Sequence, residues 1–127
     1  MTTNYEFDSL PDSAIVYRAL LSKHWIDEAN LVLSFAYLLR TNEADLSVTI
    51  ASVCSPEQCA AKFKNCYGVA SLQVGQIREL GLDAVRDSAF HAQIVGLPHV
   101  KYDRDKAERW ADLLAERSII VWQPSQV

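Results

Sequence analysis

Hydrophobic and polar residues alternate in several short runs along this chain, and a period of two predicts strands. In A-I-V-Y-R-A-L (14–20) the alternation sets Ala14, Val16, Arg18 and Leu20 on one face and Ile15, Tyr17 and Ala19 on the other. Branched and aromatic residues make this a first strand after the Pro11-Asp12 turn, with Arg18 among apolar neighbours. L-S-V-T-I (46–50) alternates as cleanly: Leu46, Val48 and Ile50 face one way, Ser47 and Thr49 the other. G-V-A-S-L-Q-V (68–74), L-D-A-V-R (82–86), F-H-A-Q-I-V (90–95) and I-I-V-W (119–122) supply four further strands. In 90–95, Phe90, Ala92 and Ile94 oppose His91, Gln93 and Val95.

Other stretches follow the helical period. S-P-E-Q (55–58) combines an N-cap serine, a proline suited to the first helical position and a glutamine that closes a capping box. The helix it opens is expected to turn Cys59, Ala60 and Phe63 inward and to stop near Tyr67-Gly68. A short helix over 75–81 ends at Gly81. From Asp103 onward, Ala107, Trp110, Ala111 and Leu114 recur at i, i+3, i+4 and i+7, and Asp103 or Asp105 supplies the cap. Residues 22–30 are polar and read as a loop. L-V-L-S-F-A-Y-L-L-R (31–40) fits a buried strand pair or a short helix equally well.

Strands in small groups broken by two to three helices predict an α+β fold: a single domain with a mixed or mostly antiparallel sheet. The expected organisation is an N-terminal arm (1–13), one domain (14–123) and a short tail (124–127), and 127 residues suit one domain. A net charge of −4 argues against a nucleic-acid scaffold, which needs surplus Lys and Arg. No apolar run approaches the ~20 residues of a membrane-spanning helix. The polar, acidic start M-T-T-N-Y-E-F-D lacks signal-peptide character, which predicts a cytoplasmic protein. Cys54, Cys59 and Cys66 are odd in number and match no zinc spacing, so they read as buried structural thiols and no metal site is expected.

Nucleotide-cradling glycine motifs, H-E-x-x-H and G-x-S-x-G are all missing, so no cofactor is predicted. The polar residues left on predicted strands are Arg18, Ser47, Thr49, Ser71, His91 and Gln93. On neighbouring strands they would line one polar surface, where the forked Arg18 donor and the switchable His91 suit an anionic or nucleotide-like ligand. The candidate ligand-binding set is Arg18, Ser47, Thr49, His91 and Gln93. A plain solvated face of an antiparallel sheet yields the same alternation unaided. His24, Trp25 and Asp27 fall in a loop, and His99 shows no partner in the sequence.

The succession V-Y-R-A-L, L-S-V-T-I with its P-E-Q helix, Y-G-V-A-S-L-Q-V-G-Q-I-R-E-L-G-L-D-A-V and H-A-Q-I-V-G resembles a family of small uncharacterised bacterial proteins, over roughly residues 15–121. That resemblance implies no activity. A first-strand Arg and a Ser/Thr strand also resemble ADP-ribosyl-transferring folds, whose catalytic Glu has no counterpart here. The lack of catalytic motifs predicts a non-catalytic regulatory or partner-binding domain, with a protein partner, a homo-oligomer or a small anionic ligand as the partners to consider. The alternative is a small enzyme or sensor that takes a nucleotide-like anion around Arg18 and His91.

Overall fold

A computed structural model describes residues 9–124. Six strands hydrogen-bond in the order β4-β5-β2-β1-β3-β6, every pair antiparallel. They are β1 (Ile15–Leu20), β2 (Leu46–Ile50), β3 (Gly68–Gln73), β4 (Asp83–Arg86), β5 (His91–Val95) and β6 (Ile119–Trp122). Three α-helices accompany them: α1 (Pro56–Ala61), α2 (Val74–Glu79) and α3 (Arg104–Arg117). The fold is a single α+β unit, and no helix among the described residues is long and apolar enough to cross a membrane. Residues 1–8 of the expected arm and 125–127 of the expected tail lie outside the described range. Leu10 is buried in the core, and the Asp12 carboxylate pairs with Arg78 at 2.6 Å.

The larger core lies on the face bearing Val16, Leu20, Leu46, Val48, Ile50, Leu72 and Ile94. Ala36 and Tyr37, Ile77 of α2, and Ala111 and Leu114 of α3 cover it. Each fully buried Leu or Ile there contributes roughly 1.5–3 kcal/mol. The opposite face is only partly roofed. There α1 sets Cys59 and Ala60 against Ala19 and Val69, with Cys54 beside them, while Ser47 and Val85 stay exposed. Cys54 and Cys59 are buried thiols; Cys66 is half-buried and its Sγ donates to Gly68 O at 3.1 Å.

Three sequence expectations need correction. Of the two readings of residues 31–40, the strand pair does not form; the helical one survives only as a single 3₁₀ turn, Ser34–Tyr37, which drops Ala36 and Tyr37 onto the sheet. The capping box of α1 forms as read, but the helix ends at Ala61 instead of reaching Tyr67. Beyond Ala60, residues 61–65 are all exposed, so no apolar face remains to hold a longer helix. Phe63 therefore points outward, and Gly68 is not a helix stop. It pairs with Leu20 inside β3, where an added Cβ would meet Ile26, Leu20 and the Trp122 carbonyl at 3.3 Å. Gly81 does close α2, with φ of +84°.

Within the larger core, the Tyr37 hydroxyl is fully buried and finds no hydrogen-bond partner among the described residues. Ser118 lies beside it but donates its own proton to Ala115 O. Burial pushes this phenol up to about 12. Tyr37→Phe removes an unsatisfied group without opening a cavity, so urea unfolding at neutral pH should show stability unchanged or raised by up to ~1 kcal/mol. A phenol that ionises more readily unfolded than folded supplies stability that is lost as pH rises from its ordinary value of ~10 toward 12. The variant should lose less over that window than the native chain. Destabilisation beyond ~1 kcal/mol at neutral pH would mean that the hydroxyl has a partner.

Candidate functional site

The site starts from a fault in the sheet. β1 pairs with β3 along all six of its residues, but with β2 only at Val16↔Ile50 and Tyr17↔Thr49. From Arg18 onward the two central strands diverge, and the Arg18 side chain supplies donors where the ladder stops. Its Nε donates to Ala36 O at 2.9 Å and its Nη1 to Ser47 O at 3.0 Å. Arg18 is only 9% exposed. Such a burial is tolerable because two carbonyls accept from the guanidinium. Desolvation lowers its pKa, opposed by the Tyr37 and Glu43 charges and reinforced by Arg40; an arginine stays charged regardless. The Trp25 ring lies 5.7 Å from both the Arg18 and the Arg40 guanidinium carbons.

A cleft of about 260 Å³ opens at this split. It falls just below the ~300–1,000 Å³ common for small-molecule sites. Arg18, Ser47, Thr49 and His91 all line it. Gln93, the fifth residue of the sequence-based set, does not. Register explains the grouping: Thr49 stands opposite both Tyr17 and His91, and Ser47 opposite Gln93. Ser71 stands opposite Tyr17 on the far side of β1 and donates to Ile119 O at 3.4 Å.

The single polar surface expected from alternation is therefore not what forms. Arg18 starts from the core face, with Val16 and Leu20, and reaches the others through the gap between strands. Thr49 is not solvated either: it is buried beneath α1, where its hydroxyl accepts from Cys59 Sγ at 3.7 Å. Burial raises the Cys59 thiol pKa despite that bond.

Several lining residues carry no strand-period signal in the sequence. Arg40 and Glu43 come from the loop before β2, Lys62 and Phe63 from the C-terminal end of α1, and Phe90 from the turn before β5. Phe63 and Phe90 are 40% and 50% exposed, and Lys62 Nζ sits 4.4 Å from the centre of the Phe90 ring. A second depression of about 320 Å³ shares Lys62 and Phe90 and adds Val53, Cys54 and Gln58. The cleft's charge is thus three cations, Arg18, Arg40 and Lys62, against one carboxylate, Glu43.

Behind His91 stands Asp87, whose Oδ1 lies 2.7 Å from His91 Nδ1; its Oδ2 accepts from Gln93 Nε2 at 3.0 Å. Desolvation raises the Asp87 pKa, but the bonds from Gln93 and His91, with the His91 charge, outweigh it and hold the carboxyl below its ordinary value. The i, i+4 spacing of Asp87 and His91 was the available sequence signal for this pair.

The remaining candidates have structural places. Asp27 Oδ1 accepts from the Ala29 and Leu31 amides, closing its loop. His99 does have a partner, its Nε2 lying 2.8 Å from Arg40 O. Among the described residues no three His, Cys, Asp or Glu side chains are grouped to hold a metal.

If Arg18 bridges the split, Arg18→Met should be costly, because it strands two buried carbonyls. Hydrogen bonds to charged groups are worth roughly 1.5–3 kcal/mol each, partly offset by the relieved burial of charge, so a net loss of ~3 kcal/mol is expected in urea unfolding. A loss under ~1 kcal/mol would show that the strands are held apart by something else. Comparison of the chain with protein-family models, with curated proteins and with solved structures gives no match.

Proposed function

We propose that this domain binds a nucleotide-like anion in the cleft between β1 and β2. The observation that carries the reading is the gathering of three cations and two exposed phenyl rings around one small cavity, in a chain of net charge −4. Scattered surface charge has no reason to concentrate cations where the overall balance is acidic. Phosphate oxygens suit Arg40, Lys62 and the remaining Arg18 donors. A planar base suits the faces of Phe63 and Phe90, where stacking contributes roughly 1–3 kcal/mol per base in nucleic-acid sites. The neighbouring depression across Lys62 and Phe90 gives room for a ligand longer than a mononucleotide.

The ligand reading is preferred to a purely partner-binding domain because a protein interface does not require this combination in a cavity. Calorimetric titration with ADP, NAD and inorganic phosphate tests it. ADP or NAD should bind, and a concentration ~100 times Kd should raise the unfolding free energy by ~2.7 kcal/mol. Lys62→Ala should weaken binding by about 10-fold or more, the loss of one charge-assisted contact. Phe90→Ala should weaken the nucleotides and leave phosphate unchanged. Lys106→Ala, on the exposed face of α3, is the control and should have no effect. Absence of nucleotide binding at millimolar concentration, or equal affinity in the Lys62 and Phe90 variants, would refute the reading.

A further inference from the structure

We propose that Asp87 and His91 form an acid–base dyad that hydrolyses a phosphoester bond of the ligand held in this cleft. The proposal rests on the cleft being an anion site, and adds chemistry to it. A carboxylate only accepts hydrogen bonds, so the 2.7 Å contact with Asp87 Oδ1 assigns the ring hydrogen to His91 Nδ1. Nε2 of the neutral ring then carries the free lone pair. His91 lines the cleft with its side chain 30% exposed, and its Nε2 has no partner among the described residues. An oriented imidazole with one nitrogen tied to a carboxylate and the other facing a ligand cavity is the arrangement a general base requires.

The dyad is also held in place before any ligand arrives. Ser88 Oγ accepts from the amides of Phe90 and His91, at 3.3 and 3.0 Å. The amides of Asp87 and Ser88 both donate to His91 O, at 3.0 and 3.3 Å. Arg86 ties the same turn down through the Ser88 and Ala89 carbonyls. Gln93 fixes the second Asp87 oxygen, which gives this residue a bracing role in place of the ligand contact expected from sequence. A turn cross-linked this heavily keeps the imidazole in one orientation, the condition for efficient proton transfer.

The cations choose the bond. In phosphoester hydrolysis the developing charge spreads over phosphoryl oxygens, where Arg18, Arg40 and Lys62 can offset it. The oxygen of a water forms a bond to phosphorus while its proton passes to His91 Nε2. The phosphorus–oxygen bond to the leaving alcohol breaks, and the same proton moves from Nε2 to that oxygen. Nothing is oxidised or reduced, and water is the one co-reactant. His91 is the catalytic residue; Asp87 touches no substrate and is a positioning residue. The charged and titratable groups around His91 are Asp87 on its own turn, Tyr17 and Arg18 from β1, Arg40 and Glu43 from the loop before β2, and Lys62 from the end of α1.

The test uses the full chain with thymidine 5′-(p-nitrophenyl) phosphate as substrate and ADP as binding probe. Nitrophenolate release is expected from the native chain. His91→Asn keeps a donor for Asp87 but has no Nε2, so kcat measured at saturating substrate should fall by about 100-fold or more. Asp87→Asn should lower kcat with KM little changed, and Asp87→Glu, which keeps an acceptor for Nδ1, should restore part of it; a purely structural role would move KM with kcat. ADP binding without nitrophenolate release would overturn the dyad and leave the binding reading intact. Full turnover by His91→Asn would overturn the dyad equally, whereas failure of ADP to bind would remove the reading on which it rests.

Discussion

A charged guanidinium sits between two central strands that have stopped pairing, and the rest of the site depends on it. Continuing the β1–β2 ladder past Tyr17 and Thr49 would have sealed the sheet. Instead Arg18 spans the gap, tying the Ala36 carbonyl of the 3₁₀ turn to the Ser47 carbonyl of β2. Burying that charge without acceptors would cost several kcal/mol; with two carbonyls in its fork, it becomes a strut. The same strut presents positive charge to the opening it maintains. Structure and candidate chemistry therefore share one side chain.

The asymmetric covering of the sheet decides where the opening is useful. One face is fully packed by the 3₁₀ turn, α2 and α3. On the other, α1 is only six residues long and covers parts of β1 and β3 and the Thr49 end of β2. Because α1 stops early, Lys62 and Phe63 fall at the edge of its roof, next to the split. From the other side, the turn before β5 brings Phe90 and His91 against Thr49, since β2 and β5 pair there. Short elements with abrupt ends thus deliver charge and aromatic surface to one place, while the strands behind them hold the backbone fixed.

The strands, the capping box and the long last helix were legible in the chain because each rests on local periodicity or local hydrogen bonding. Arg18 and His91 also stood out, each a polar residue interrupting an apolar run. Alternation could not reveal that Arg18 and His91 start from opposite faces yet line one cleft, because that depends on where a pairing between distant strands ends. Phe63 was misread for a related reason: its helical spacing matters only if the helix continues, and burial of Cys59 and Ala60 gives no support beyond Ala61. Residues 31–40 carried two equal periodic readings, and the 3₁₀ turn that forms is fixed by contact with Arg18 and α3. Arg40, Lys62 and Phe90 lie at element ends, where no periodicity points to them.

Amide chemical shifts during an ADP titration of the isotopically labelled full chain test the central claim most directly. The account predicts the largest changes at Tyr17–Ala19, Ser47–Thr49, Lys62–Phe63 and Phe90–His91, four segments remote in sequence that meet only at the split between β1 and β2. Changes centred instead on a separate surface groove, lined by Leu39, Leu97 and Tyr102 beside the start of α3, or spread evenly along α3, would contradict it.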